Sequence, residues 1–418
     1  MLLIKNQITG IDRYSIESEE PLLTSHEDHQ FNINNNIQIA ERVVDVKGSS
    51  FAAYIHATCV VAGTGILGLP YALKQGGESR LDTYQDIGYH AYGKFGKYIL
   101  VGIFNNAILV GVPILYFILA AQNFDALSDN LGLHLGFRVW TCICASLVAI
   151  PFILTKTLKE VLILSIFGSF ATFFCVIVIV VLSFQDLSDV RNLPDPPSHD
   201  FVVFSQFPIA LATISFSFGG NNVFPHIEEN MEKPKNWNKV AIATMSTCAL
   251  MYSLVAFSGY YVYGDLTTSP ILNNLPKGLP LELALIFITI HVLLTAPIIM
   301  TSFAYDTEKS LKITTEYHSP LMEFFLRAGF RTCHLIISVI IAILVPFFGD
   351  FMSLLGAFAN CLLVFVLPVV FYVRLFGWNS MTIWEMILNL FVILVGLIGC
   401  VVGTVDAISS LLKDFNEN

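Results

Sequence analysis

The chain has 418 residues, of which 55% are hydrophobic and only 13% charged, with a mean hydropathy of +0.68. Soluble chains carry roughly 25% charged residues, and a deficit of this size belongs to helices that face lipid, where charge is costly. The net charge of -10 excludes the basic surface that nucleic acid needs, and no Lys/Arg cluster beside a span marks a reader of anionic lipid.

Residues 1–50 are polar, acidic and Asn-rich around Phe31-Asn32-Ile33-Asn34-Asn35-Asn36. They predict a disordered tail. No apolar stretch at the start predicts a cleaved signal. Glu19-Glu20-Pro21-Leu22-Leu23 resembles an acidic dileucine sorting signal, with imperfect acidic spacing. A helix needs about 20 mostly apolar residues to cross the hydrocarbon. Ten segments meet that length: 51–75, 98–121, 138–156, 160–184, 205–225, 239–263, 281–303, 331–348, 350–374 and 386–412. Residues 413–418 are a short tail. The eight cysteines are scattered through apolar runs with no Cys-x-x-Cys pair, so they predict small packing residues and no metal site.

Two of the ten segments are interrupted. The first carries Gly63-Thr64-Gly65 in its middle and Pro70 after it; the fifth carries Ser217-Phe218-Gly219-Gly220-Asn221-Asn222 and then Pro225. Backbone freed at membrane depth has no water to bond, so such breaks persist where they line a cavity. Glycine also serves close helix packing. Two breaks, each opening a block of helices, point instead to a transporter's substrate site.

The two blocks differ in length. Residues 205–374 hold five spans and residues 51–184 only four, a shortfall of about 36 residues, or one helix plus a loop. Cytoplasmic loops are rich in Lys and Arg. Arg80, Lys94 and Lys97 fall in one predicted loop, Lys156 and Lys159 in a later one, then Lys233, Lys235 and Lys239, then Lys309, Lys312, Arg327 and Arg331, then Arg374. These loops share one side, so the span at 98–121 starts in the cytoplasm. If the N-terminal tail is cytoplasmic too, the chain must return across the membrane before Arg80, and nothing between Gly76 and Glu78 can cross. Three readings stay open: a tail on the far side, a re-entrant first helix, or a missing span.

The stretch Gly63-Thr64-Gly65-Ile66-Leu67-Gly68-Leu69-Pro70-Tyr71 closely resembles the first helix of the amino acid/auxin permease family. Thr83-Tyr84-Gln85-Asp86-Ile87-Gly88 and Phe218-Gly219-Gly220-Asn221-Asn222-Val223-Phe224-Pro225 resemble it as well, with Asn274-Leu275-Pro276 and Val345-Pro346-Phe347. The likeness is strongest to vacuolar amino acid transporters. It implies an all-α polytopic membrane protein with an inverted five-plus-five helix repeat of the amino acid–polyamine transporter type. It also implies proton-coupled carriage of neutral amino acids across a vacuolar or lysosomal membrane, with the plasma membrane as the alternative. The family has eleven spans and this chain about ten. The helix expected between Gly77 and Glu78 is absent, as after a skipped exon or in an incomplete gene model. The first repeat (51–184) is thus one span short, the second is 205–374, and 386–412 is an extra helix.

A broken helix offers unpaired N–H groups at one new end and C=O groups at the other, and its N-terminal end carries a positive partial charge. The amides of Gly63, Thr64, Gly65 and Ile66 are therefore the predicted seat of the substrate carboxylate. Carbonyls from Ser215 to Gly219 are the predicted partners of the ammonium, with Phe216 and Phe218 as walls. No acidic residue lies deep in either break, which disfavours cationic substrates. Proton coupling needs a titratable group, and His has the suitable range. His56, His226 and His291 are the candidates; a hydrogen-bonded structural histidine is the competing reading for each. Asp350 predicts a helix N-cap. No cofactor is expected beyond the proton gradient, with Na⁺ as an alternative coupling ion. The expected partners are a neutral amino acid and the lipid bilayer, with no nucleic acid and no obligate protein partner. No catalytic arrangement, metal-ligand spacing or phosphate loop predicts an enzyme. Two other readings compete: an inactive or regulatory form of such a transporter, and a non-transporting amino acid sensor.

Overall fold

The computed structural model describes residues 49–50, 53–54, 57–58, 84–130, 132–154, 161–200, 203–220, 224–229 and 231–417. The predicted tail with its dileucine, and most of the first span with His56, Gly63, Thr64, Gly65 and Ile66, lie outside the described residues. Among the described residues there is no β-strand, and eight helices are long and apolar enough to cross a membrane. The protein is an all-α polytopic membrane protein.

The first described helix, α1 (Tyr84–Phe95), corrects the loop expected around Lys94 and Lys97. Its backbone leaves the helical region at Tyr92 and at Gly93, where φ is +62°, a conformation that glycine adopts without Cβ strain. The chain folds back there into a π-helical turn (Gly96–Gly102) that runs on as α2 (Ile103–Asn130). Gly88 faces Gly96 and Val101 so closely that a Cβ on Gly96 would overlap the Gly88 carbonyl. Lys97 Nζ closes the hairpin on Asp86 at 3.0 Å. Buried Tyr84 donates its hydroxyl to the Leu363 carbonyl at 2.9 Å. The motif that reads as a connecting loop in sequence is therefore a helical arm with one buried face, formed by Tyr84, Ile87, Gly88 and Ala91.

The following helices are α3 (Phe137–Leu154), α4 (Val161–Arg191), α5 (Phe207–Ser217), α6 (Phe224–Glu229), α7 (Trp237–Tyr263), α8 (Leu279–Ser310) and α9 (Pro320–Leu344). Then α10 (Phe348–Leu355), a π-helical segment (Gly356–Val366) and α11 (Leu367–Phe376) together make one crossing, and α12 (Ile383–Glu417) ends the chain. The largest apolar core joins α2, α3, α8 and α9 through Phe117, Ile118, Val148, Phe152, Ala296, Met300 and Leu335. Apolar side chains on the outside, such as Ile387, Leu390 and Phe391 of α12, suit lipid contact.

Helix α9 corrects a second expectation. The span at 331–348 begins eleven residues earlier, at Pro320, capped by the Ser319 hydroxyl. Arg327 and Arg331 are not loop cations; both are buried. Arg331 forks onto Glu308 of α8 at 2.7 and 3.2 Å, and Arg327 bonds Glu323 at 3.1 Å. Their remaining donors reach the Phe152 and Ile153 carbonyls, 2.7 and 3.2 Å away. Those carbonyls lie in the last described turn of α3. Charge on the sequence looked like loop because hydropathy does not register pairing.

Helix α12 presents Gly396, Gly399 and Gly403 to its neighbours, the small-residue packing common between membrane helices. Gly399 lies against Cys361 and Leu211, Gly403 against Pro208 and Ala357. Asp350 is not an N-cap: Phe347 holds that position, and Asp350 lies in the first turn, accepting a hydrogen bond from Ser410 at 2.9 Å.

Candidate functional site

The fifth predicted span is interrupted where the glycines stand. Helix α5 carries Pro208 as its second residue, in the first turn, where no N–H is needed. It ends at Ser217: Phe218 N–H bonds the Ile214 carbonyl and Gly219 N–H bonds that of Phe216, each at 3.0 Å. Gly220 has φ +105°, closed to most side chains. The next described helix is α6. The carbonyls of Ser215, Phe218 and Gly219 accept no hydrogen bond among the described residues, whereas Ser217 is capped by the Tyr252 hydroxyl at 2.8 Å. The Phe218 ring meets Tyr252 edge to face at 5.0 Å. Helix α7 thus grips the end of α5 and keeps the break at one geometry.

The predicted residues at this break have different surroundings. Ser215 is fully buried beside the Cys361 thiol. Phe216 points into the core against Gly356, where a Cβ would lie 3.0 Å from its own. Phe218 is half-exposed and Gly219 is buried. The start of the first predicted span is brought to the same neighbourhood. Ala53 and Ala57 are buried with Phe224 and Ile227 of α6 and Trp237 and Val240 of α7, and Tyr54 Oη lies 3.0 Å from the Thr247 hydroxyl. Two segments about 170 residues apart in sequence, each predicted to break, share one apolar cluster.

His226 belongs to α6, and its side chain lies outside the description. His291 is buried on α8 with its Nδ1 3.4 Å from the Thr295 hydroxyl. Two residues earlier, Thr289 accepts from Asn123 of α2 at 2.9 Å, so this stretch of α8 is tied to α2 by a polar contact.

Several polar residues escaped the sequence reading. Tyr252 carries no sequence signal beyond its presence in a span. His334 is buried between Phe152 and Phe303, with neither ring nitrogen partnered among the described residues. Asn360 is 2% exposed, and its Nδ2 has no partner among the described residues; a strongly polar side chain within an apolar run was the signal available for it. Tyr252→Phe removes the cap on Ser217. The expected cost is about 1 kcal/mol, read as faster amide exchange across Phe218–Gly220 with the exchange of α7 unchanged.

The chain resembles curated proteins along most of its length. It is 27% identical to Amino acid transporter AVT1C of Arabidopsis thaliana, over 88% of this chain and 71% of that protein. It is 26% identical to AVT1B, over 88% and 72%, and 27% identical to AVT1J, over 86% and 90%. The comparison with AVT1C spans 406 positions but only about 368 residues of this chain (88% of 418), a difference of about 38. Residues 77–409 match the model of the family described as transmembrane amino acid transporter protein. With its multi-pass helical architecture and a match over most of its length, the chain belongs to the transmembrane amino acid transporter protein family.

Proposed function

We propose that the protein is a secondary active carrier of neutral amino acids, driven by a proton gradient and working by alternating access around its two broken helices. The observation that carries this reading is the break after α5, where the carbonyls of Ser215, Phe218 and Gly219 have no partner among the described residues. Such carbonyls suit an ammonium group, and the partial negative charge of a helix C-terminus adds to them. The substrate carboxylate is assigned to the amides of Gly63, Thr64, Gly65 and Ile66. Neutral specificity is supported by the lack of Asp or Glu between residues 203 and 220. His56, His226 and His291 are the proposed proton carriers. A vacuolar or lysosomal membrane is the proposed location, from the family resemblance and the Leu22-Leu23 signal.

A second reading is favoured by one specific observation. The excess of about 38 positions in the relative matches the shortfall of about 36 residues in the first repeat. The chain is then a form lacking the second helix, inactive or regulatory. One experiment separates the two: uptake of radiolabelled neutral amino acids into proteoliposomes, with and without an imposed pH gradient. Gradient-driven uptake is the expected result. No uptake, with activity appearing once a family second helix is inserted after Gly77, would establish the second reading.

A further inference from the structure

The crossing formed by α10, the π-helical segment and α11 runs beside α5 in the same direction. Three contacts set the register. Thr213 Oγ1 lies 3.0 Å from the Ser353 hydroxyl. Gly356 abuts the Ala212 carbonyl and the Phe216 Cβ. Farther along, Cys361 lies beside Ser215. These contacts pair residues 140 to 146 apart, which sets Asn360, one turn past Gly356 on the same face, level with Ile214–Gly220, the last turn of α5 and the break that follows. Phe216 marks the last side chain of α5 against that face; beyond it α5 has ended.

Asn360 is 2% exposed, and its Nδ2 donor has no partner among the described residues. An unpaired buried amide is costly and calls for an acceptor. The surrounding helix is π-wound over Gly356–Val366, with Leu367 N–H reaching the Leu362 carbonyl. π-Bulges recur at functional sites because they re-aim side chains that a straight helix would hold elsewhere. Gly356 and the Gly399–Cys361 contact clamp the segment between α5 and α12, so Asn360 is held on a rigid element.

We propose that Asn360 is a specificity-determining residue of the substrate site, its carboxamide N–H recognising a neutral amino acid side chain that bears a hydroxyl or carboxamide oxygen. This rests on the carrier function proposed above. The buried amide is neutral, so it offers a charged side chain no counter-ion. An aliphatic substrate leaves the donor unpaired, and a site built around a hydrogen bond discriminates against the analogue that lacks it.

The test compares threonine with its isostere valine, by ligand-induced thermal stabilisation of the purified full chain. The wild type is expected to bind threonine about tenfold more tightly than valine. Asn360→Leu should remove that preference, and Asn360→Thr, which keeps a donor, should retain part of it. The unliganded Tm of Asn360→Leu should not fall, because an unpaired donor stabilises nothing. A drop of several degrees would overturn the inference by showing that Nδ2 anchors neighbouring backbone. Wild-type binding with an equal threonine-to-valine ratio, or a ratio unchanged in Asn360→Leu, overturns this inference alone. No binding of any neutral amino acid by the wild type overturns the carrier reading and this inference with it.

Discussion

Arg331→Ala is expected to destabilise the protein by about 3–5 kcal/mol, enough to leave little folded material after extraction into detergent. The guanidinium is fully buried and lies 5.4 Å over the Phe152 ring. Removing it strands Glu308, itself buried, as an uncompensated charge, and takes a donor from the Phe152 carbonyl. Lysine at this position should rescue poorly, because an ammonium cannot fork onto both carboxylate oxygens and still reach the carbonyl. The double change Glu308→Leu with Arg331→Met removes both charges together. Replacing a buried pair by apolar groups is often close to neutral, so the double variant should recover most of the loss. Thermal unfolding of the three variants in one detergent measures this. Equal stability of Arg331→Ala and wild type would show that the pair is solvated and contributes nothing.

The second large effect concerns the contact that brings α5 to its neighbour. Gly356→Val should abolish transport and lower Tm by many degrees, since even a single Cβ would collide with the Ala212 carbonyl. Overpacking of this kind costs about 1–3 kcal/mol even where side chains can adjust, and a backbone carbonyl cannot. The shift would also move the break after Ser217 relative to Asn360. Gly329→Ala is the matched control. A Cβ there meets nothing within 4 Å, and the residue lies inside α9, where alanine is favoured by about 1 kcal/mol over glycine. The control should keep full activity with an equal or higher Tm. Measuring Tm and uptake on the same preparations separates a folding failure from a transport failure.

The hairpin of α1 shows how far the sequence carries and where it stops. Gly93 and the Gly88/Gly96 pair are visible as glycines, but their purpose depends on a backbone-to-backbone approach. Hydropathy reads α1 as a loop because Asp86, Lys94 and Lys97 dilute it. The structure buries Tyr84, Ile87 and Ala91 all the same and ties Lys97 to Asp86. The same blindness placed Arg327 and Arg331 in solvent.

The sequence by itself determined the membrane class, the approximate positions of eight of the ten predicted spans and the interruption after α5. Each follows from properties local to a window: apolar length against bilayer thickness, and glycines where a helix must end. Tertiary structure alone decided which buried polar groups are paired. Arg331 finds its acid 23 residues away and its carbonyl 179 residues away. Tyr252 reaches back 35 residues to cap Ser217. Asn360 stands level with the end of α5 only through the register of α5 against its neighbour. The cost or benefit of a polar group in lipid depends on its partner, and partners across a helical bundle leave no periodicity in the chain.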